Sequence, residues 1–294
     1  MFDDDATVAN CPPALSGSIP APHAPLIASR YEIRDRIGQG AMGQVFEAFD
    51  HRLRRLVALK LTAFPAGANT AELRARFRLE AQAAARLRHP GIVAVHDEGE
   101  GRDFAWIAME LVIGETLRQA LDRGRPGMAE AVRVATDLLA ALGHAHDRGI
   151  IHRDVKPANI LLEAGLQAGL GEVRLADFGV ARASGMLDTG LDVPGEMLGT
   201  PSAMAPEQVR GEAMDSRTDI WAVGVVLYEM LTGRKPFGGS VPGLFDAIQH
   251  LPPPMHDLPP ALAAVVARAL AKRPGDRFPS AAEMAAALRG TDLT

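Results

Sequence analysis

Between positions 151 and 162 the chain reads IHRDVKPANILL, and this stretch constrains the chain more than any other. Asp154, Lys156 and Asn159 are flanked by Ile150 and Ile151 on one side and by Ile160, Leu161 and Leu162 on the other. The apolar runs have the composition of buried strands, and Pro157 forbids a helix through the middle. The three polar residues are therefore expected on a short loop between two anchored segments. Transfer of a phosphoryl group asks a protein for a carboxylate to receive the hydroxyl proton, a cation beside the moving group and an oxygen ligand for magnesium. Asp154, Lys156 and Asn159 fit those roles in that order. The competing reading is a polar surface turn whose Asp and Asn satisfy local backbone groups.

Upstream, YEIRDRIGQGAMGQVFEAFD starts at Tyr31 and sets Gly38, Gly40 and Gly43 between Ile33 and Ile37 on one side and Val45 on the other. Residues 44–48 alternate as a strand, so the pattern predicts strand, glycine loop, strand. A dinucleotide-binding fold would instead run from its glycines into a helix. No Lys-Ser or Lys-Thr follows the last glycine, which excludes a Walker A loop. Glycines so placed let backbone amides close over phosphates. RLVALKL, 55–61, puts Val57, Leu59 and Leu61 on one strand face and Ala58 and Lys60 on the other. From 71 to 87 a helical face of Leu73, Phe77, Ala84 and Leu87 also contains Glu80. A carboxylate in an apolar stripe needs a partner, and Lys60 is the natural one.

GIVAVHDEG and FAWIAMELV read as two further strands, the second ending before Gly114, and 129–148 as an Ala/Leu-rich helix. Val173, Leu175 and Asp177 are expected on one strand face. From 177 to 207 periodicity fades, which in a compact domain marks a functional or a disordered segment, and it is read as an activation segment. Helices are expected over 219–231, 243–250, 260–271 and 280–289, the first capped by Asp219.

A hydrophobic content of 47% over 294 residues is enough for a substantial core. The net charge of -5 gives no basic field for nucleic acid or anionic lipid. Cys11 is the only cysteine, so there is no disulfide framework and no Cys-rich metal site, and a reducing cytoplasm is expected. The start, MFDDDATVAN, is acidic where a signal peptide would be basic, and the apolar run 220–231 is too short to span a bilayer and contains Glu229. No membrane segment and no nucleic-acid partner are expected. Residues 1–29 are acidic, then rich in Pro and Ala, and are expected to be a disordered tail.

Together HRDVKPAN, the glycine loop, VALK, DFG and GTPSAMAPE resemble the motifs of serine/threonine protein kinases, in that family's order and over 31–289. GTP followed by APEQVRG, and the ending ALAKRPGDRF, resemble its bacterial branch. The resemblance implies an α+β bilobal protein-kinase-like fold: a small antiparallel β lobe with one main helix, 30–112, and a larger mainly helical lobe, 113–290, with ATP between them. It implies transfer of the γ-phosphoryl group of ATP to Ser/Thr hydroxyls of proteins, with Mg2+ (Mn2+ as a possible substitute), autophosphorylation, and a kinase-domain dimer as one assembly.

By the same resemblance, Lys60 and Glu80 pair, Asp154, Lys156 and Asn159 act catalytically, and Thr200 bonds Asp154 and Lys156. Nucleotide contacts fall on Ile37, Gly38, Gly40, Gly43, Val45, Ala58, Lys60, Leu161 and Asp177. Met109 backs the adenine pocket, and the backbone of Glu110 and Val112 holds the purine. Asp177 and Asn159 ligate the metal, Asp219 clamps the catalytic loop, and Arg277 pairs with Glu207. Glu196 stands at a common phosphosite of relatives, with Thr189 and Ser184 as candidates for autophosphorylation, and Val180 implies a preference for threonine. Ala203 departs from the tyrosine of many relatives. The rival readings are a pseudokinase scaffold, which would be expected to lack Lys60, Asp154, Asn159 or Asp177, and a small-molecule phosphotransferase, which normally lacks the complete glycine loop and the A-P-E segment.

Overall fold

The computed structural model describes residues 26–40, 43–64, 70–164, 169–178 and 201–291. The alternating stretches of the first third form one antiparallel sheet: β1 (Tyr31–Gly40), β2 (Gly43–Asp50), β3 (Arg55–Ala63), β4 (Val95–Glu100) and β5 (Phe104–Met109), in the order β1-β2-β3-β5-β4. Helix α1 (Thr70–Ala85) packs on it. Every residue of β3 from Val57 onward is buried, because its two faces serve two cores. Val57, Leu59 and Leu61 join Tyr31, Ile33, Phe46 and Trp106. Ala58 joins Phe77, Ala81, Ile107 and Met109 on the other face, the one that carries Lys60.

Two boundaries differ from the sequence reading. Ile27 is only 4% exposed and exchanges both backbone hydrogen bonds with Tyr31, so residues 26–29 belong to the small lobe, not to a tail. Arg30 reinforces this start, gripping Asp50 with two nitrogens at 2.7 and 2.8 Å and Asp97 at 2.7 Å. Residues 1–25 lie outside the described residues. Strand β4 begins at Val95, not at Gly91, because the backbone of Gly91 and Val93 is spent on Leu175 of the other lobe.

The larger lobe holds a three-stranded sheet, β6 (Gly114–Thr116), β7 (Ile160–Glu163) and β8 (Glu172–Leu175), and seven helices among the described residues. These are α2 (Leu117–Arg123), α3 (Met128–His146), α4 (Pro206–Val209), α5 (Ser216–Thr232), α6 (Val241–His250), α7 (Pro260–Ala269) and α8 (Ala281–Arg289). Strand β6 and α2 were not expected. Their signal was the capping box Thr116 to Gln119, which the structure forms. Helix α5 is apolar on nearly all sides and is correspondingly buried from Thr218 to Leu231. Its cap is Asp215, which accepts the Arg217 amide at 2.8 Å, so Asp219 sits inside the first turn with its carboxylate free to point inward. Near α4, Arg277 donates to both oxygens of Glu207 at 2.8 Å, with neither side chain more than 2% exposed. Among the described residues no helix is long and apolar enough to cross a membrane.

Candidate active site

The loop before β7 is built differently from the expected strand. Residues 150–156 have no regular structure, and Pro157 opens a single 3-10 turn, Pro157–Asn159, where its fixed φ suits the first position. What anchors the loop is the buried Asp219. Its carboxylate accepts the amides of His152 and Arg153, both at 2.8 Å, and lies 2.8 Å from His146 Nε2. These bonds hold Arg153 at φ 68°, a left-handed conformation that an arginine rarely adopts. Gln208 Nε2 adds a bond to the Arg153 carbonyl at 3.0 Å.

The three candidate residues of this loop form one hydrogen-bonded set. Lys156 Nζ lies 2.7 Å from Asp154 Oδ2, and Asn159 Nδ2 donates to the same oxygen and to the Asp154 carbonyl, each at 2.9 Å. Asn159 is buried, whereas the Asp154 side chain is 39% exposed and open to an incoming hydroxyl. The Asn159 carbonyl accepts the Ala176 amide at 2.9 Å, and His152 Nε2 meets the Ala176 carbonyl at 2.9 Å. The loop is thereby fastened to the segment after β8. The ring of Phe178 closes on His152 at 4.6 Å between centroids.

Asp177 does not share a strand face with Val173 and Leu175. Strand β8 ends at Leu175, and Asp177 takes φ 65°, which re-aims its carboxylate toward β3. There the Lys60 ammonium lies 2.7 Å from Asp177 Oδ1. Burial would raise the Asp177 carboxyl, but Lys60, with His152 and Lys156 beyond it, outweighs that and holds it below the usual carboxylate range. Lys60 thus has Asp177 as its partner in the structure, where the sequence offered Glu80. The Glu80 side chain lies outside the described residues.

The positions implied for a nucleotide gather at the mouth between the lobes. Ala58 and Met109 are buried in one cluster against which Val45, Val112 and Leu161 pack, so both lobes contribute to one apolar slot. Gly43 is at φ 143°, and a Cβ there would stand 2.1 Å from the Leu61 carbonyl oxygen, so only glycine fits. Gly38 is under no such demand, and Gly40 pairs with Gly43 at the end of the hairpin. Ile37 is 50% exposed at the rim. The Glu110 amide donates to Ala94 O, which leaves its carbonyl as the group available toward the slot. Thr200, Glu196, Thr189, Ser184 and Val180 lie outside the described residues, and Ala203 is half-buried. Sequence reasoning passed over His146, His152 and Gln208. The first two stood in or beside the loop motif, but nothing in spacing pointed to Gln208.

The protein kinase domain family model matches residues 31–286. The serine/threonine-protein kinase PknB of Mycolicibacterium smegmatis is 42% identical over 276 residues, 89% of this chain and 43% of that protein. A probable serine/threonine-protein kinase of Corynebacterium efficiens is 41% identical over 278 residues, 90% of this chain and 41% of that protein. The chain therefore spans about two-fifths of the length of these relatives. The crystal structure of the Mycobacterium tuberculosis PknI kinase domain superposes with a TM-score of 0.71 at 33% identity, covering 92% of this chain and 99% of that one. With that match over nearly the whole described chain, and the loop, lysine and aspartates assembled as above, this chain belongs to the protein kinase family.

Proposed function

We propose that the chain is an ATP-dependent protein kinase that transfers the γ-phosphoryl group to serine and threonine hydroxyls of proteins, in a cytoplasmic setting. The observation that carries the reading is the bonded set of Asp154, Lys156 and Asn159, tied through Ala176 to the Lys60–Asp177 pair. The oxygens also suit magnesium. Asp177 is kept ionised, and Asn159 spends its Nδ2 on Asp154 and so leaves Oδ1 for a hard cation. Asp177 and Asn159 would hold such an ion, whose chemistry when bound is to neutralise charge that builds on the transferred group.

In this reading Asp154 orients the substrate hydroxyl and takes up its proton, while Lys156 holds that carboxylate in place and offers its charge to the transferred group. Lys60 steadies the inner phosphates, Gly43 lets backbone approach them, and Val45, Ala58, Met109 and Leu161 enclose the adenine. Glu80 and Thr200 complete the set by family likeness. The serine/threonine class is supported by Lys156-Pro157 and by the names of the relatives. The test is transfer of label from γ-labelled ATP to a protein substrate by the purified chain, with Asp154→Asn as control. Label on serine or threonine that vanishes in the variant supports the reading, and nucleotide binding without any transfer would make the chain a scaffold.

A further inference from the structure

Two histidines that the reaction does not use face each other where the lobes join. His89 follows α1 and His144 lies in the last turn of α3, with ring centroids 5.2 Å apart and planes tilted by 45°. His89 Nδ1 accepts the Gly91 amide at 3.0 Å, so the neutral ring carries its proton on Nε2. Gly91 in turn sets the interlobe register: its carbonyl accepts the Leu175 amide at 2.8 Å, and the Val93 amide donates to the Leu175 carbonyl at 3.0 Å. Leu175 is two residues before Asp177. His144 Nε2 is buried and has no hydrogen-bond partner among the described residues.

Two arginines touch the backbone on either side of the pair. From β8, Arg174 donates to the Pro90 carbonyl while its charge is paired with Glu163 at 2.7 Å, and beyond α3, Arg148 donates to the His144 carbonyl at 3.0 Å. Among the described residues no carboxylate bonds either ring. Burial, and then the facing His144, both oppose charge on His89 and hold it below the ordinary histidine range.

We propose that His89, packed on His144, forms an acid-sensitive catch between the lobes, closed while the His89 ring is neutral and released when it takes up a proton at Nδ1. Protonation turns that acceptor into a donor facing the Gly91 N–H, so the bond is lost, and it sets a positive charge in a buried place against the His144 ring. The turn at 89–91 loosens, and with it the pairing to Leu175 that positions Asp177. The sign follows from the neutral form being favoured in the fold: the stabilisation is complete above the ordinary histidine value of about 6.5 and is lost as pH falls through the lower folded-state value.

The test is amide-exchange protection of segments 91–93 and 174–176 in wild type, His89→Asn and His144→Phe, at about pH 7.5 and about pH 5.5, values that bracket the ordinary histidine range. Asparagine can accept the Gly91 amide but cannot titrate. Wild type should lose protection several-fold in acid, His89→Asn should keep it, and His144→Phe should lose it at a higher pH because only burial then opposes the proton. Equal acid loss in wild type and His89→Asn would overturn the proposal, as would no loss in wild type. If His89→Asn does not fold, an NMR titration of wild-type His89 decides. A midpoint below about 6.5 supports the catch, and one at or above it refutes it. Exchange does not depend on phosphoryl transfer, so this result stands apart from that of the proposed activity.

Discussion

Lys60 and Asp177 meet at 2.7 Å, one from the middle of β3 and the other from just past β8, so this ion pair ties the two lobes together at the candidate site. In Lys60→Met the Asp177 carboxyl keeps its burial and loses the cation that offsets it. Its pKa is expected to climb, and magnesium-dependent nucleotide binding near neutrality to weaken at least several-fold. Magnesium titrations at two pH values check this, and unchanged affinity would refute the pairing. A double-mutant cycle with Glu80→Gln then asks whether Glu80 shares the cation, since additive costs mean that it does not.

Asp154→Asn and Asp177→Asn are expected to abolish transfer for different reasons. The first removes the group that orients the hydroxyl and should lower kcat by orders of magnitude with nucleotide binding intact. The second removes the metal ligand and should also weaken the magnesium dependence of ATP binding. Turnover of Asp154→Asn within about tenfold of wild type would contradict the role assigned to it.

Arg277 and Glu207 should dominate the stability of the large lobe. Removing one partner of a buried, bidentate pair leaves an uncompensated charge, so Arg277→Met is expected to cost about 3–5 kcal/mol in denaturant unfolding. Burial raises the Glu207 carboxyl, but Arg277 and Thr218 pull it below its ordinary value. Its contribution is therefore complete above the unfolded carboxylate value and is lost as pH falls through the folded one. Arg277→Met should flatten that acid limb of the stability curve.

Gly43→Ala places a Cβ against the Leu61 carbonyl at a φ that L-residues avoid. The hairpin must shift, at a cost of about 1–3 kcal/mol of strain, and ATP affinity should fall. Gly38→Ala meets only ordinary contacts with Val45 and should leave stability nearly unchanged. Thermal unfolding and nucleotide titration of the two variants compare them directly.

The sequence by itself singled out the candidate residues, because Asp154, Lys156, Asn159, Lys60 and Asp177 stand in short motifs whose spacing is local. It also marked the strongly periodic elements, since alternation in 55–61 and helical period in 129–148 are properties of neighbours along the chain, whereas β6 and α2 were missed. Tertiary structure alone decided how those groups are held. By its position alone Asp219 reads as a helix cap, and only the family likeness pointed to a clamp; in the fold Asp215 takes the cap and the Asp219 carboxylate holds the loop from 66 and 67 residues away. Lys60 meets Asp177 because the left-handed turn at that residue re-aims the carboxylate toward β3. Both outcomes depend on desolvation and on contacts between segments far apart in the chain. A linear pattern records which residues alternate, but it does not record which buried charge lies closest in space.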